Sequence, residues 1–242
     1  MKKNSHVTAP DDDTFSLISN QKLLALYAAM VECREKASSA MAQMRGRPAR
    51  RASRLVPIAG CEAAVVGAAI DLGSGDTIAT ELWPEGFLSA VNRIAFITAR
   101  VRLDGHRIPP SGGHRSISMV FSNRKKAGQA LWRKMLERAM ADSLAVLFVC
   151  LTDERAAPLA DSLADLPAQE RHYLLPSITV DGSDVVAVYR VASEAITHAR
   201  KGNGPALIEC VIAPSRDPIE HMAQYLRRKG LLEAPPASQV GA

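Results

Sequence analysis

Three consecutive basic side chains, Arg124, Lys125 and Lys126, stand just before a stretch with helical spacing. Free backbone amides at a helix N-terminus already favour an anion, so this triplet is chemically able to hold a phosphate or carboxylate without a metal. A solvated basic turn explains the same residues more simply and is the preferred reading. A second basic group, Arg45, Arg47, Arg50, Arg51 and Arg54, is interrupted by Gly46 and Pro48 and reads as a loop. No aromatic side chain interleaves with these arginines to stack bases, which favours an acidic protein surface over nucleic acid. His106 and His114 lack a partner pattern at catalytic spacing, and His221 reads as a surface helix residue. Cys33, Cys61, Cys150 and Cys210 form no C-x-x-C pair; they read as reduced, buried side chains and not as a disulfide set or zinc site.

These side chains need a frame, and the composition allows one. A length of 242 residues suits one sizeable domain, expected over 19–232, with loose tails at 1–18 and 233–242. Hydrophobic residues make up 47% and aromatics only 5%, a balance that suits closely packed helices on a sheet. The net charge of +5 permits an acidic partner or small anion without demanding nucleic acid. The start, MKKNSHVTAPDDD, lacks the apolar core of a signal peptide, and no run of about 18 apolar residues is present to span a membrane. A cytoplasmic location is the expectation.

The clearest frame is the segment from Leu175 to Glu209, which reads strand, turn, helix, turn, strand. Ile178 to Val180 favour extended backbone, Asp181-Gly182 signals a turn, and Asp184 stands at an N-cap position. Val185, Val188, Tyr189, Ala192, Ala195, Ile196 and Ala199 then recur on one helical face. Gly202 is placed to end that helix, and Gly204-Pro205 turns into the apolar run Ala206–Ile212, suited to a buried parallel strand. Residues 115–151 make a second βαβ unit: a strand over Ser116–Ser122, a helix over Lys126–Met140 and a strand over Leu144–Leu151. Upstream, Ser19 or Asn20 can cap a helix carrying Leu23, Leu24, Tyr27, Met30 and Val31, and Ala63–Ile70 forms a small-residue helix. Phe87–Val101 is a further candidate helix.

The strings VDGSDVVAVYR and ARKGNGPALIE resemble the C-terminal part of the alpha subunit of thiamine-diphosphate-dependent 2-oxo acid dehydrogenases of the pyruvate and branched-chain types. Val180, Asp181, Gly182, Asp184, Ala187, Val188, Tyr189, Ala199, Arg200, Gly202, Gly204, Pro205, Leu207, Ile208 and Glu209 carry the likeness. All are turn, cap and packing residues. LLALYAAMVECR is similar to the family's first helix, which ends in an arginine matched by Arg34, and Gly60, Glu62 and Ala63 match its A-G-Q-E-A element. Glu62 also suits the dipole of its own helix. The resemblance implies an α/β fold, a parallel sheet with helices on both faces, in a shortened form of the thiamine-diphosphate-binding fold. It implies oxidative decarboxylation of 2-oxo acids and a beta-subunit partner.

The same likeness exposes departures. The family signature starts with Gly-Asp-Gly after one strand and ends with an Asn pair after the next; its aspartate and an asparagine oxygen hold a magnesium ion that bridges the diphosphate. Here those positions are Asn123, Arg124 and Lys125, then Thr152 and Asp153. Two unit charges about 4 Å apart interact by about 4 kcal/mol at an effective dielectric near ~20, and a divalent ion roughly doubles this, so an arginine in place of the aspartate turns attraction into repulsion. Thr80-Glu81-Leu82-Trp83 stands where the family has a tyrosine-arginine pair, residues 84–114 look shortened, and the Pro-His-Thr loop after the last strand is missing between Val211 and Pro218. The expectation is a scaffold without magnesium or thiamine diphosphate and with no catalytic residue, acting as a structural or binding subunit that pairs with itself or a beta-like protein. Two alternatives stay open: a thiamine-diphosphate oxidoreductase subunit with a non-standard site, and a metal-free anion-binding protein.

Overall fold

The computed structural model describes residues 18–44, 60–73, 76–80, 116–123, 130–155 and 175–233. Among these, five strands form one sheet in the order β1-β2-β3-β5-β4. They are β1 Thr77–Thr80, β2 Ser118–Asn123, β3 Val146–Asp153, β4 Ser177–Asp181 and β5 Ala206–Ile212. Every neighbouring pair is parallel. The expected α/β class with a parallel sheet is therefore correct. All carboxyl ends lie along one edge, the usual place for ligands in open parallel sheets.

The helices are α1 Asn20–Met44, α2 Glu62–Ala69, α3 Ala130–Ala141, α4 Val185–Arg200 and α5 Pro218–Arg228. The larger core lies on one face, where Met119, Val149, Ile208 and Cys210 of the sheet meet α1, α2, α4 and α5. On the other face, Leu136 and Ala139 of α3 pack against Val120, Val146, Phe148 and Leu207. Parallel strands covered on both sides have no solvated face, which is why β3 reads as an unbroken apolar run.

Local signals account for the helix ends. Ser19 Oγ accepts the Lys22 amide at 3.2 Å, capping α1. Asp184 Oδ1 accepts the amides of Val186 at 2.9 Å and Ala187 at 3.1 Å, as its position predicted. Gly202, at φ +80°, takes the left-handed conformation that ends α4 after Lys201. Asp217 caps α5 in the same way as Asp184 caps α4, with Pro218 in the first turn, where a missing N–H costs nothing.

Three boundaries differ from the expectations. Helix α1 does not stop at Arg34 but runs on to Met44, because no glycine or proline interrupts the sequence before Gly46. Strand β3 starts and ends about two residues later than Leu144–Leu151, so Thr152 and Asp153 belong to the strand itself. Their ladder partners, Val211 and Ile212, extend the pairing beyond the apolar run that the sequence shows. Strand β2 likewise reaches Asn123. The arginine-rich loop at 45–54, the candidate helix at 87–101, and His106 and His114 lie outside the described residues. Among the described residues, no helix is long and apolar enough to cross a membrane.

All four cysteines are free and buried. Burial and the neighbouring Glu62 carboxylate push the Cys61 thiol up to about 12, and burial raises those of Cys33 and Cys210 strongly. Thiolate, the reactive form, is scarce in such surroundings. A thiol-specific reagent at pH 8 should therefore label the native protein slowly at all four sites and the urea-unfolded protein quickly; rapid labelling of a native thiol would contradict this packing.

Candidate functional site

The carboxyl edge brings together two of the segments marked by sequence. Asn123, the last residue of β2, is paired with Leu151 of the neighbouring β3, so Thr152 and Asp153 follow one and two positions further along the same edge. The backbones of these two segments are thus adjacent. Arg124 and Lys125, with the side chain of Asn123, lie outside the described residues.

Thr152 and Asp153 have different surroundings. Thr152 is buried, and its hydroxyl donates to Glu209 Oε1 at 2.9 Å. Asp153 is exposed, and its Oδ1 accepts the Arg155 amide at 2.9 Å, closing a local turn. On β5 beside them, Glu209 is only 4% exposed, and its second oxygen accepts the Thr179 hydroxyl from β4 at 3.3 Å. Sequence reasoning treated Glu209 as a packing residue. The available signal was a carboxylate inside an otherwise apolar strand, Ala206–Ile212, where a charge is tolerated only with hydrogen-bond partners.

The connection from β5 to α5 is short and held at several points. It comprises residues 213–217, in which the Arg216 amide donates to Ala213 O at 3.0 Å. The Arg216 guanidinium donates to Asp181 at the end of β4, and the Ala213 amide lies 3.5 Å from Ser183 Oγ. No histidine lies in this connection; His221 sits in α5, as expected, and is half-buried, with its amide bonded to Asp217 O.

Beside this edge, Arg34 of α1 joins three helices. Its Nε donates to Glu62 Oε1 at 2.8 Å and its Nη1 to Asp217 Oδ2 at 2.8 Å. Glu62 is fully buried and also accepts the Gly60 amide at 2.9 Å, so it does more than complement a helix dipole. The Arg34 guanidinium holds the Asp217 carboxyl below the usual carboxylate range, helped by the amides of Ile219 and Glu220. A carboxyl with a depressed folded value stabilises the protein above its unfolded pKa, near ~3.9, and loses that contribution as pH falls through the folded value. Asp217→Asn, which keeps the cap, should therefore flatten the acid limb of a stability-versus-pH curve below about pH 4. An unchanged acid limb would contradict the assignment.

The turn-helix-strand unit from β4 to β5 and the end of β3 are the elements a known family shares. Residues 152–214 match the dehydrogenase E1 component family. The E1 match begins at Thr152 and ends in the short connection after β5. The chain is similar to the alpha subunit of acetoin:2,6-dichlorophenolindophenol oxidoreductase from Bacillus subtilis, at 35% identity over 122 residues, covering 48% of this chain and 36% of that protein. The Cupriavidus necator protein of the same name is 30% identical over 128 residues, covering 50% of this chain and 38% of its own length. The alpha subunit of the pyruvate dehydrogenase E1 component from Porphyra purpurea is 36% identical over 80 residues, 31% of this chain and 23% of that one. The aligned part of this chain thus spans little more than a third of the first two relatives.

The matching family uses thiamine diphosphate and magnesium, and the described donors can be tested against that group. Magnesium asks for near-octahedral oxygen ligation, usually with one or two carboxylates. At the matching edge, the Thr152 hydroxyl proton is directed inward to Glu209, and one oxygen of Asp153 is engaged by its own turn. Among the described residues, no group of three His, Cys, Asp or Glu side chains is arranged to hold a metal ion. The sequence continues from Asn123 into two cations, Arg124 and Lys125. The described donors at this edge are thus one exposed carboxylate, Asp153, and a threonine hydroxyl turned toward Glu209.

Proposed function

We propose that this chain is an E1-alpha-like subunit that has kept the α/β scaffold and no longer binds magnesium and thiamine diphosphate, serving as a structural or binding subunit. The observation that carries the reading is the donor set at the carboxyl edge. A buried threonine is tied to Glu209 beside a single exposed carboxylate, and the resemblance sets these two against the family's asparagines and Arg124 against its aspartate. Electrostatics supports it, since a guanidinium beside a divalent cation opposes its binding. The relatives' names describe alpha subunits, which supports a partner of beta-subunit type or a second copy of this chain.

Mass in solution, measured by light scattering for the chain alone and after co-expression with a beta-like subunit, tests the partnership. The reading predicts a stable oligomer in one of the two preparations. A monomer in both would overturn it. One observation favours a second reading, a thiamine-diphosphate oxidoreductase subunit with a non-standard site: the ends of β2 and β3 remain adjacent, as a signature split between two strands requires.

A further inference from the structure

We propose that Glu209 is a positioning residue for the carboxyl edge, tying the end of β3 that carries Thr152 and Asp153 to the outer strand β4. This goes beyond the functional reading above and holds whatever ligand or partner the edge serves. Glu209 lies on β5, between those two strands, in register with Cys150 on one side and Thr179 on the other. Its Oε1 accepts the Thr152 hydroxyl at 2.9 Å and its Oε2 accepts the Thr179 hydroxyl at 3.3 Å. At 4% exposure, one carboxylate thus reaches across two ladders at once.

A carboxylate suits both contacts best. Each threonine offers a single hydroxyl proton, and accepting both on separate atoms takes two oxygens. A glutamine of the same shape has one acceptor oxygen and a donating amide, so one hydroxyl must rotate to accept instead, and both contacts lose the charge that strengthens them. An apolar replacement removes both acceptors and leaves the buried Thr152 hydroxyl without its Glu209 acceptor.

The strand ends that depend on this tie have backbone reporters. The Glu154 amide donates to Ile212 O at 3.2 Å, just past the end of β3. The Gly182 amide donates to Val211 O at 2.8 Å, just past the end of β4. Both bonds land on β5 beyond Glu209. If the carboxylate sets how β3 and β4 lie against β5, opening at these two amides is governed by it, while amides inside α2 and α4 are not.

Hydrogen exchange followed by mass spectrometry on the full chain makes the test, reading peptides over 150–155 and 177–183 with helical peptides as internal controls. Glu209→Gln should speed exchange roughly tenfold in both strand-end peptides, the effect of weakening a hydrogen bond to a charged group, and leave α2 and α4 protected. Thr152→Val should speed only the first peptide, and Thr179→Val only the second. Thr152→Val should change the first peptide less in the Glu209→Gln background than in the parent, because the two substitutions act on one interaction. Acceleration that is absent, confined to one peptide in Glu209→Gln, or spread evenly over the helices would overturn the proposal. Should Glu209→Gln fail to fold, the two threonine variants decide: separate, strand-specific acceleration supports the tie, and its absence refutes it.

Discussion

Arg34→Ala is expected to destabilise the protein by about 2–3 kcal/mol, between the cost of breaking an exposed ion pair and that of breaking a fully buried one. The size follows from what is left behind. Glu62 has 0% side-chain exposure, so without the guanidinium its carboxylate would keep the Gly60 amide but lose its charged partner. Asp217, half-exposed at the cap of α5, would lose much less on its own account, since exposed pairs contribute only about 0–1 kcal/mol. Urea unfolding with an unchanged slope and a lowered midpoint would report the loss. Arg34→Lys should recover only part of it, because an ammonium lacks the planar fork that serves Glu62 and Asp217 from different nitrogens. A loss below about 1 kcal/mol for the alanine variant would show that Glu62 is solvated on loss of its partner and that the clasp is peripheral.

The second large effect is expected at Gly67. A Cβ placed there would lie 2.9 Å from Val188 Cβ and 3.0 Å from the Val185 carbonyl oxygen, so α2 and α4 approach nearly backbone to backbone. Neither neighbour is the free end of a flexible chain. Gly67→Val must therefore push the helices apart, at about 2–3 kcal/mol for overpacking a tight interface. Gly67→Ala should cost less, because alanine returns about 1 kcal/mol of helix propensity relative to glycine. Thermal melts of the two variants measure the order. A valine variant as stable as the parent would contradict the close approach.

Much of the frame was legible because its signals are local. Asp184 announces its helix by capping chemistry, Gly202 ends α4, and the period of Val185, Val188, Ala192 and Ile196 sets the buried face. Each depends on neighbours within a few residues, which one sequence displays. The end of β3 was misplaced because Thr152 and Asp153 are not apolar, and their pairing with Val211 and Ile212 comes from another strand. The same limit hid the long-range polar contacts. Arg34, Glu62 and Asp217 are separated by 28 and 183 residues in their two contacts, and Glu209 and Thr152 by 57, so no spacing rule links them. The resemblance to E1 alpha subunits supplied the expectation about the signature positions, and the end of β3 is where the geometry bears on it. Thr152 faces inward and Asp153 closes its own turn, details that substitutions in a motif do not reveal.

Titration calorimetry with thiamine diphosphate, in buffer containing magnesium and again in buffer containing a chelator, tests the central claim most directly. The account predicts no saturable heat that depends on the metal. Saturable binding that requires magnesium and disappears in the chelated buffer would contradict it and restore the enzyme reading.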